Sequence, residues 1–256
     1  TTRPAEPPAR FRQHLTAPER TAIVKAVGAL PDSLAIVVRD GRGRAFQRLE
    51  FLGDSVLDLV LNVHRVVEPD CVACQETGGD VGKVVTDERL GARAASLGIG
   101  KWLEWEPSAQ RLADLMETCL AAAWLSGGWQ QATTFVGHAI HPLSPHVASV
   151  LSGMFDGGIR ATGTRAERRM GAAVLELYTA RQVFDADPNA DEGMLSERRA
   201  ELHRVSRVAE FARQHLRSAN PGNDGAVSDV VEAWLAATLL SDGADAALKV
   251  AATIFN

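Results

Sequence analysis

Apolar residues along this chain recur three or four positions apart, with polar and charged residues between them. Two runs illustrate the pattern, one formed by Leu49, Phe51, Leu52, Val56 and Leu59 and the other by Leu112, Leu115, Leu120 and Ala121. An apolar stripe at this spacing is typical of a helix that buries one face against a core. The sequence therefore predicts an all-α protein.

Length and charge limit the function classes that remain. A chain of 256 residues, 46% of them hydrophobic, can form one large core or two ordinary domains, and two is the better interpretation. The net charge of −5 argues against a strong nucleic-acid binder, because such proteins usually present a basic face. Arginines do cluster locally. Two interpretations are open for them: a phosphate-contacting surface, or a solvated helix face paired with acids. They are Arg160, Arg165, Arg168, Arg169, Arg198, Arg199, Arg204, Arg207, Arg213 and Arg217.

No apolar run reaches the roughly 18 to 20 residues that cross a bilayer, and the stretch from Thr1 to Ala9 has no hydrophobic signal core. A cytoplasmic location without membrane contact is the expectation. Three cysteines give no disulfide framework. Cys71 and Cys74 form a C-x-x-C without a second pair, so both are interpreted as reduced thiols. Three histidines in mid-chain are interpreted as linker residues, since their spacing fits no standard metal motif: His138, His141 and His146.

One apolar run contains two acids. Glu50 and Asp54 are four residues apart, so they share one face of the predicted helix. Two carboxylates this close repel each other unless a cation lies between them or one of them is protonated. Metal binding is the favoured explanation.

The residues Arg48-Leu49-Glu50-Phe51-Leu52-Gly53-Asp54-Ser55-Val56-Leu57 resemble the signature of ribonuclease III, a helical endonuclease family. In that family the signature acids bind divalent metal and the enzyme cuts double-stranded RNA. The family has a second acidic pair in the form Ala-Asp-x-x-Glu, and here Ala113-Asp114-Leu115-Met116-Glu117 is similar to it.

The resemblance implies one site built from the four acids Glu50, Asp54, Asp114 and Glu117. Hard oxygen ligands suit Mg²⁺ or Mn²⁺, and the chemistry that fits is phosphodiester hydrolysis. Each pair alone would be interpreted as a solvated helix face or as N-terminal capping acids. Both pairs together inside the signature favour the metal site.

The chain also repeats itself. Residues 114–128 have a counterpart at 229–243, and residues 53–59 have a weaker one at 171–177. At the positions of Glu50 and Asp54 the second copy has Arg168 and Ala172, although Asp229 and Glu232 are kept. Two carboxylates facing an arginine should hold a divalent ion poorly. An Arg168 salt bridge to one of these acids is predicted instead, and the second copy is predicted to be inactive.

These observations predict two tandem ribonuclease III-like domains, 1–148 and 149–256, folded as an intramolecular pseudo-dimer within a monomer. No double-stranded RNA-binding domain is expected after the second copy, so RNA affinity would be low or supplied by an RNA-binding partner protein. The leading hypothesis is a metal-dependent endoribonuclease that nicks structured or double-stranded RNA at one competent site. The alternatives are a non-catalytic RNA-binding or scaffold protein and a metal-dependent enzyme acting on a small molecule.

Overall fold

The computed structural model describes residues 32–71, 85–103, 106–155, 161–215 and 223–255. Every regular element within these ranges is a helix, and they contain no strand. The prediction of an all-α fold is confirmed for this part of the chain.

The first half is organised around two long helices. Its elements are α1 (Asp32–Asp40), α2 (Gly43–Val67), α3 (Asp87–Leu97), a 3₁₀ turn (Ile99–Trp102), α4 (Ala109–Phe135) and a π-helical turn (Val136–Ile140). Helix α4 kinks at Gly128, whose φ of 62° is a conformation that glycine adopts without strain.

The second half also contains two long helices, α6 and α9. Its elements are α5 (Pro145–Leu151), α6 (Arg165–Ala186), α7 (Glu192–Leu202), α8 (Val205–His215), α9 (Asp224–Asp242) and α10 (Ala244–Phe255). Helix α5 runs through the predicted boundary between residues 148 and 149. The division into two domains at that point stays a prediction.

Two helix crossings, one in each half, are built alike. A Cβ atom on Gly53 of α2 would lie 2.0 Å from the carbonyl oxygen of Glu117 on α4. A Cβ atom on Gly171 of α6 would lie 1.9 Å from the carbonyl oxygen of Glu232 on α9. Only glycine permits backbones to approach this closely, so the same residue type sets the same crossing twice.

Helix α2 also packs against the second half. Phe51 is buried in a small apolar cluster with residues of α6, α7 and the turn between them: Ala180, Val183, Ala190 and Leu195. Arg48 donates hydrogen bonds to the carbonyl oxygens of Phe184 and Asp187 at the end of α6. Its guanidinium carbon lies 4.5 Å from the centre of the Phe184 ring. The contact combines apolar burial with a cation that caps a helix C-terminus.

The two long helices that carry the repeated glycines begin differently. Thr164 caps α6 and forms a capping box with Glu167, in which each side chain pairs with the other residue's backbone N–H. Arg42 precedes α2 and makes no side-chain capping hydrogen bond. The first turn of α6 is therefore fixed by its own sequence, whereas that of α2 is not.

Buried side chains from both halves form one continuous core, with the Phe51 cluster as a smaller one beside it. None of the helices among the described residues combines the length and apolar character that crossing a membrane requires.

Candidate active site

The four predicted site acids lie on the two helices that cross at Gly53. Helix α2 carries Glu50 and Asp54, and α4 carries Asp114 and Glu117. Since α2 contacts the backbone of Glu117 at Gly53, the close approach of the helices brings both acidic pairs to one region of the fold.

The carboxylates of Glu50 and Asp114 differ in their hydrogen-bond partners. Asp114 accepts hydrogen bonds from Gln110 Nε2 at 3.1 Å and from Arg111 Nη1 at 3.0 Å. Arg111 Nη1 also lies 3.8 Å from Glu50 Oε2, an ion-pair distance beyond that of a hydrogen bond. The Glu50 Oε2 atom is buried and has no hydrogen-bond partner. An anionic oxygen in that position needs a compensating cation or a proton.

Burial and mutual repulsion disfavour the charged forms of two of these acids. Burial, followed by the charges of Asp54, Glu50 and Asp114, raises the pKa of Glu117 to about 9. Burial, followed by Asp114 and a further acid, raises the pKa of Glu50 to about 8, against the opposing effect of Arg111. The region concentrates more negative charge than the surrounding groups neutralise.

Asp54 combines solvent access with crowding. Its side chain is exposed, yet desolvation by the surrounding protein raises its pKa above the ordinary value, against the opposing effect of Arg199. Desolvation also raises the pKa of the buried Asp114, although Gln110 and Arg111 act in the opposite direction.

The side chains as placed do not form a closed cage. Among the described residues, no three of the four acids bring their oxygens within 4.8 Å of one another. Arg111 instead contacts the carboxylates of Glu50 and Asp114. The structure thus brings the four acids into one electrostatic environment, and their assignment as metal ligands stays a prediction.

Comparison with known protein families shows which family the region around the α2–α4 crossing resembles. Residues 38–143, which include α2, α4 and all four acids, match the family model described as Ribonuclease-III-like. Residues 38–143 are therefore a ribonuclease III-like domain. The resemblance seen in the signature residues is thereby confirmed.

Curated relatives match the same part of the chain. A protein named Ribonuclease 3 from Symbiobacterium thermophilum is 36% identical over 103 residues, which is 37% of this chain and 44% of the relative. Ribonuclease 3 from Azorhizobium caulinodans is 33% identical over 104 residues, with the same shares. Ribonuclease 3 from Heliobacterium modesticaldum is 36% identical over 99 residues, 35% of this chain and 42% of the relative. The chain spans less than half the length of these relatives.

Two further acids approach the site of the ribonuclease III domain. Glu192, in the first turn of α7, contributes to the raised pKa of Glu50. Asp87, in the first turn of α3, contributes to the raised pKa of Glu117. The sequence analysis did not assign either residue to the site. The available signal for Glu192 was its place in the Asp-Pro-Asn-Ala-Asp-Glu segment of the second half, which joins two helices and carries three acids.

The corresponding crossing in the second half has a different chemistry. Arg168 Nε lies 3.4 Å from Asp229 Oδ2, which confirms the predicted salt bridge. Ser228 donates a hydrogen bond of 3.2 Å to Glu232 Oε1. Asp229 and Glu232 are thus paired within the protein, and the second crossing has no counterpart of Glu50 or Asp54, whose positions are taken by Arg168 and Ala172.

The ribonuclease III-like domain contains a second polar cluster, which was not predicted from the sequence. His64, Cys71 and His141 bring their ligand atoms within 4.8 Å of one another, and they are a group of residues that could hold a metal ion. Cys71 was interpreted as an ordinary thiol and His141 as a linker residue. Cys74 lies outside the described residues. His138 and His146 are exposed and do not join the cluster.

Several of the clustered arginines have acidic partners. Arg198 lies 2.6 Å from Asp187, and Arg204 lies 3.7 Å from Glu201. Arg199 donates to Ser55 Oγ at 3.1 Å, and its guanidinium carbon lies 5.0 Å from the centre of the Phe51 ring. These arginines stabilise helix ends and the contact between the halves, which favours the interpretation as paired helix faces for them.

Proposed function

We propose that this protein is a metal-dependent endoribonuclease acting on structured or double-stranded RNA, with Glu50, Asp54, Asp114 and Glu117 holding Mg²⁺ or Mn²⁺. The observation that carries the proposal is the meeting of four acids at the α2–α4 crossing of a ribonuclease III domain. The name Ribonuclease 3 of the matching relatives supports the same activity.

The residues fit a divalent cation. All four donors are carboxylates, which suit Mg²⁺ and Mn²⁺ rather than a softer metal. The buried Glu50 Oε2 has no hydrogen-bond partner, and a bound cation would compensate that charge. When bound, such an ion activates water and stabilises the charge that develops on the phosphate oxygens.

The protein groups around the acids would orient them for this role. Gln110 and Arg111 fix the Asp114 carboxylate through hydrogen bonds. Asp54 is exposed to solvent, so an ion held there would be accessible to a substrate. Arg111 supplies positive charge beside Glu50 and Asp114, so it limits their repulsion before a divalent ion arrives.

We further propose that the two halves are tandem ribonuclease III-like units, 1–148 and 149–256, that pair within one chain, and that only the first is competent. The matching glycine crossings support the first statement. The loss of two acids and the ion pair between Arg168 and Asp229 support the second. One active site in such a pair would cut one strand per binding event, producing nicks.

The test uses a duplex RNA hairpin labelled on both strands, with Mg²⁺ and with a chelator as control. We expect Glu117→Gln to lower the cleavage rate by at least about a hundredfold, the usual scale for losing a charged group at a reacting centre. The matched variant Glu232→Gln should cut at close to the wild-type rate. Denaturing gels would show single-strand products while native gels retain the duplex.

Three other outcomes would contradict the single competent site or favour one of the two alternative functions. Equal loss of cutting in both variants would contradict a single competent site. Binding of the hairpin without cutting in any metal would favour the RNA-binding or scaffold alternative. Mg²⁺ binding that Glu117→Gln abolishes, without RNA binding or cutting, would favour an enzyme acting on a small molecule.

A further inference from the structure

A partly buried cluster of two imidazoles and a thiol lies at the C-terminal end of α2. His64 belongs to the last turn of that helix, Cys71 lies in the turn that follows it, and His141 follows the π-helical turn after α4. Three segments of the chain that are distant in sequence thus contribute one side chain each. From this arrangement we propose that His64, Cys71 and His141 bind a zinc ion, at a site separate from the carboxylates of the predicted active site.

The distances between the ligand atoms fit a tetrahedral ion. The Nε2 atoms of His64 and His141 are 3.3 Å apart, and His141 Nε2 is 3.7 Å from Cys71 Sγ. Zinc bonds of about 2.0 Å to nitrogen and about 2.3 Å to sulfur, at tetrahedral angles, separate two nitrogens by about 3.3 Å and nitrogen from sulfur by about 3.5 Å. Two of the three separations are therefore already close to those of a zinc tetrahedron, and the third, between His64 and Cys71, is within 4.8 Å.

The backbone holds these side chains in place. Glu68 N–H donates to His64 O at 2.7 Å, and Cys71 N–H donates to Glu68 O at 3.1 Å, so two successive hydrogen bonds connect the helix end to Cys71. His141 N–H donates to Val136 O at 2.9 Å. Arg93 on α3 donates to the carbonyl oxygens of Ala139 at 3.2 Å and of His138. The site is preformed by ordinary helix-end and turn hydrogen bonds.

The burial of His64 is a second, independent indication. Its side chain is 4% exposed, and its Nδ1 atom has no hydrogen-bond partner. A buried polar ring with an unpaired nitrogen destabilises a fold unless another interaction compensates for it. Coordination through Nε2 would compensate for burying the ring, although Nδ1 itself would still lack a hydrogen-bond partner.

The ligand types distinguish this site from the carboxylate site. Imidazole and thiolate select zinc, or copper in a different geometry, whereas Mg²⁺ and Mn²⁺ prefer oxygen. Three protein ligands leave the fourth position of a tetrahedral ion to a further donor. An ion held here would tie the end of α2 to the segment after α4, and its expected role is to stabilise the domain.

The test is metal analysis of the purified full chain after zinc loading and desalting. We expect about one zinc per chain, and less than about a tenth of an equivalent in Cys71→Ser and in His141→Ala. The matched control is His138→Ala, because His138 lies in the same π-helical turn but is exposed and outside the cluster. It should retain zinc at the wild-type level. Circular dichroism establishes that each variant is folded.

Substitution with Co²⁺ gives a second readout that does not depend on RNA cleavage. The wild type should show the intense visible bands of a tetrahedral cobalt ion and a thiolate-to-cobalt charge-transfer band, which Cys71→Ser loses. Zinc below a tenth of an equivalent in the wild type, equal zinc in wild type and Cys71→Ser, or copper bound in preference to zinc would each overturn the proposal. Because none of these measurements involves Glu117 or RNA, failure here is distinguishable from failure of the proposed nuclease activity.

Discussion

The α2–α4 and α6–α9 crossings use the same packing for different chemistry. In both, a glycine lets one helix meet the backbone of an acid on the other, Glu117 in the first and Glu232 in the second. Each crossing has one arginine beside its acids, Arg111 in the first and Arg168 in the second, but the first has four acids and leaves Glu50 Oε2 without a hydrogen-bond partner, whereas the second keeps only two acids. The glycine therefore specifies how the helices pack, whereas the neighbouring acids specify what the crossing can bind.

The contact between the halves is also unequal. Phe51 of α2 is buried among residues of α6, α7 and the turn between them. At the corresponding position of α6 the sequence has Arg169, which is only partly buried. The first half therefore inserts an aromatic ring into the second, and the aligned position of the second half has no ring to insert in return.

The largest expected effect comes from removing that ring. Phe51→Ala should lower the free energy of unfolding by about 3 to 5 kcal/mol, the usual cost of truncating a buried phenylalanine. Arg169→Ala, at the aligned position, should change it by less than about 0.5 kcal/mol. Urea denaturation of both variants measures the difference. Similar losses in both would show that the contact is more symmetric than the buried cluster indicates.

Substitution of the two glycines should destabilise the fold less than loss of the Phe51 ring, but only one of the two substitutions should also affect RNA cleavage. Gly53→Ala and Gly171→Ala should each lower the free energy of unfolding by about 1 to 3 kcal/mol or more, because the added Cβ overlaps a carbonyl oxygen and the helices must separate. Only Gly53→Ala should also lower the RNA cleavage rate per folded molecule, since it displaces the proposed ligands. Equal rate losses in the two variants would contradict the assignment of the site to the first half.

The smallest expected effect on stability comes from the capping box at the N-terminus of α6. Burial alone would raise the pKa of Glu167, but hydrogen bonds from Thr164, Thr162 and Gly163 lower it overall. A lowered folded-state pKa stabilises the fold above the unfolded-state value, and this contribution is lost as the pH falls through the folded-state value. Glu167→Ala should cost about 0.5 to 2 kcal/mol at neutral pH, the range for losing a helix cap.

The same variant should cost less in acid, and urea denaturation at several pH values tests this. Glu167→Gln is the control, because glutamine also serves in a capping box but does not titrate. Its stability relative to Glu167→Ala should be independent of pH across this range. A cost of Glu167→Ala that stays constant down to about pH 3 would contradict the role of the ionised carboxylate.

Local sequence spacing predicted those features that local geometry controls. The spacing of Glu50 and Asp54 placed them on one helical face, and the exchange of Glu50 for Arg168 in the repeat predicted the ion pair with Asp229. Both inferences needed only helix periodicity and an internal alignment. The all-α fold followed from the same periodicity.

Sequence spacing did not reveal contacts that depend on how distant segments pack. His64 and His141 are 77 positions apart, so no short motif connects them, and Cys71 alone gave no reason to look further. Glu192 reaches the predicted site from the second half because α7 packs against α2. Such contacts are set by tertiary packing, which a periodic pattern does not encode.

The pairing of Arg48 with the end of α6 has a consequence for the history of the second half. The carbonyl oxygens of Phe184 and Asp187 are the acceptors of a largely buried guanidinium. Without α6, that cation would lose its acceptors and Phe51 would be exposed to water. A deletion that removed the second half would thus destabilise the first, although the second half has no counterparts of Glu50 and Asp54.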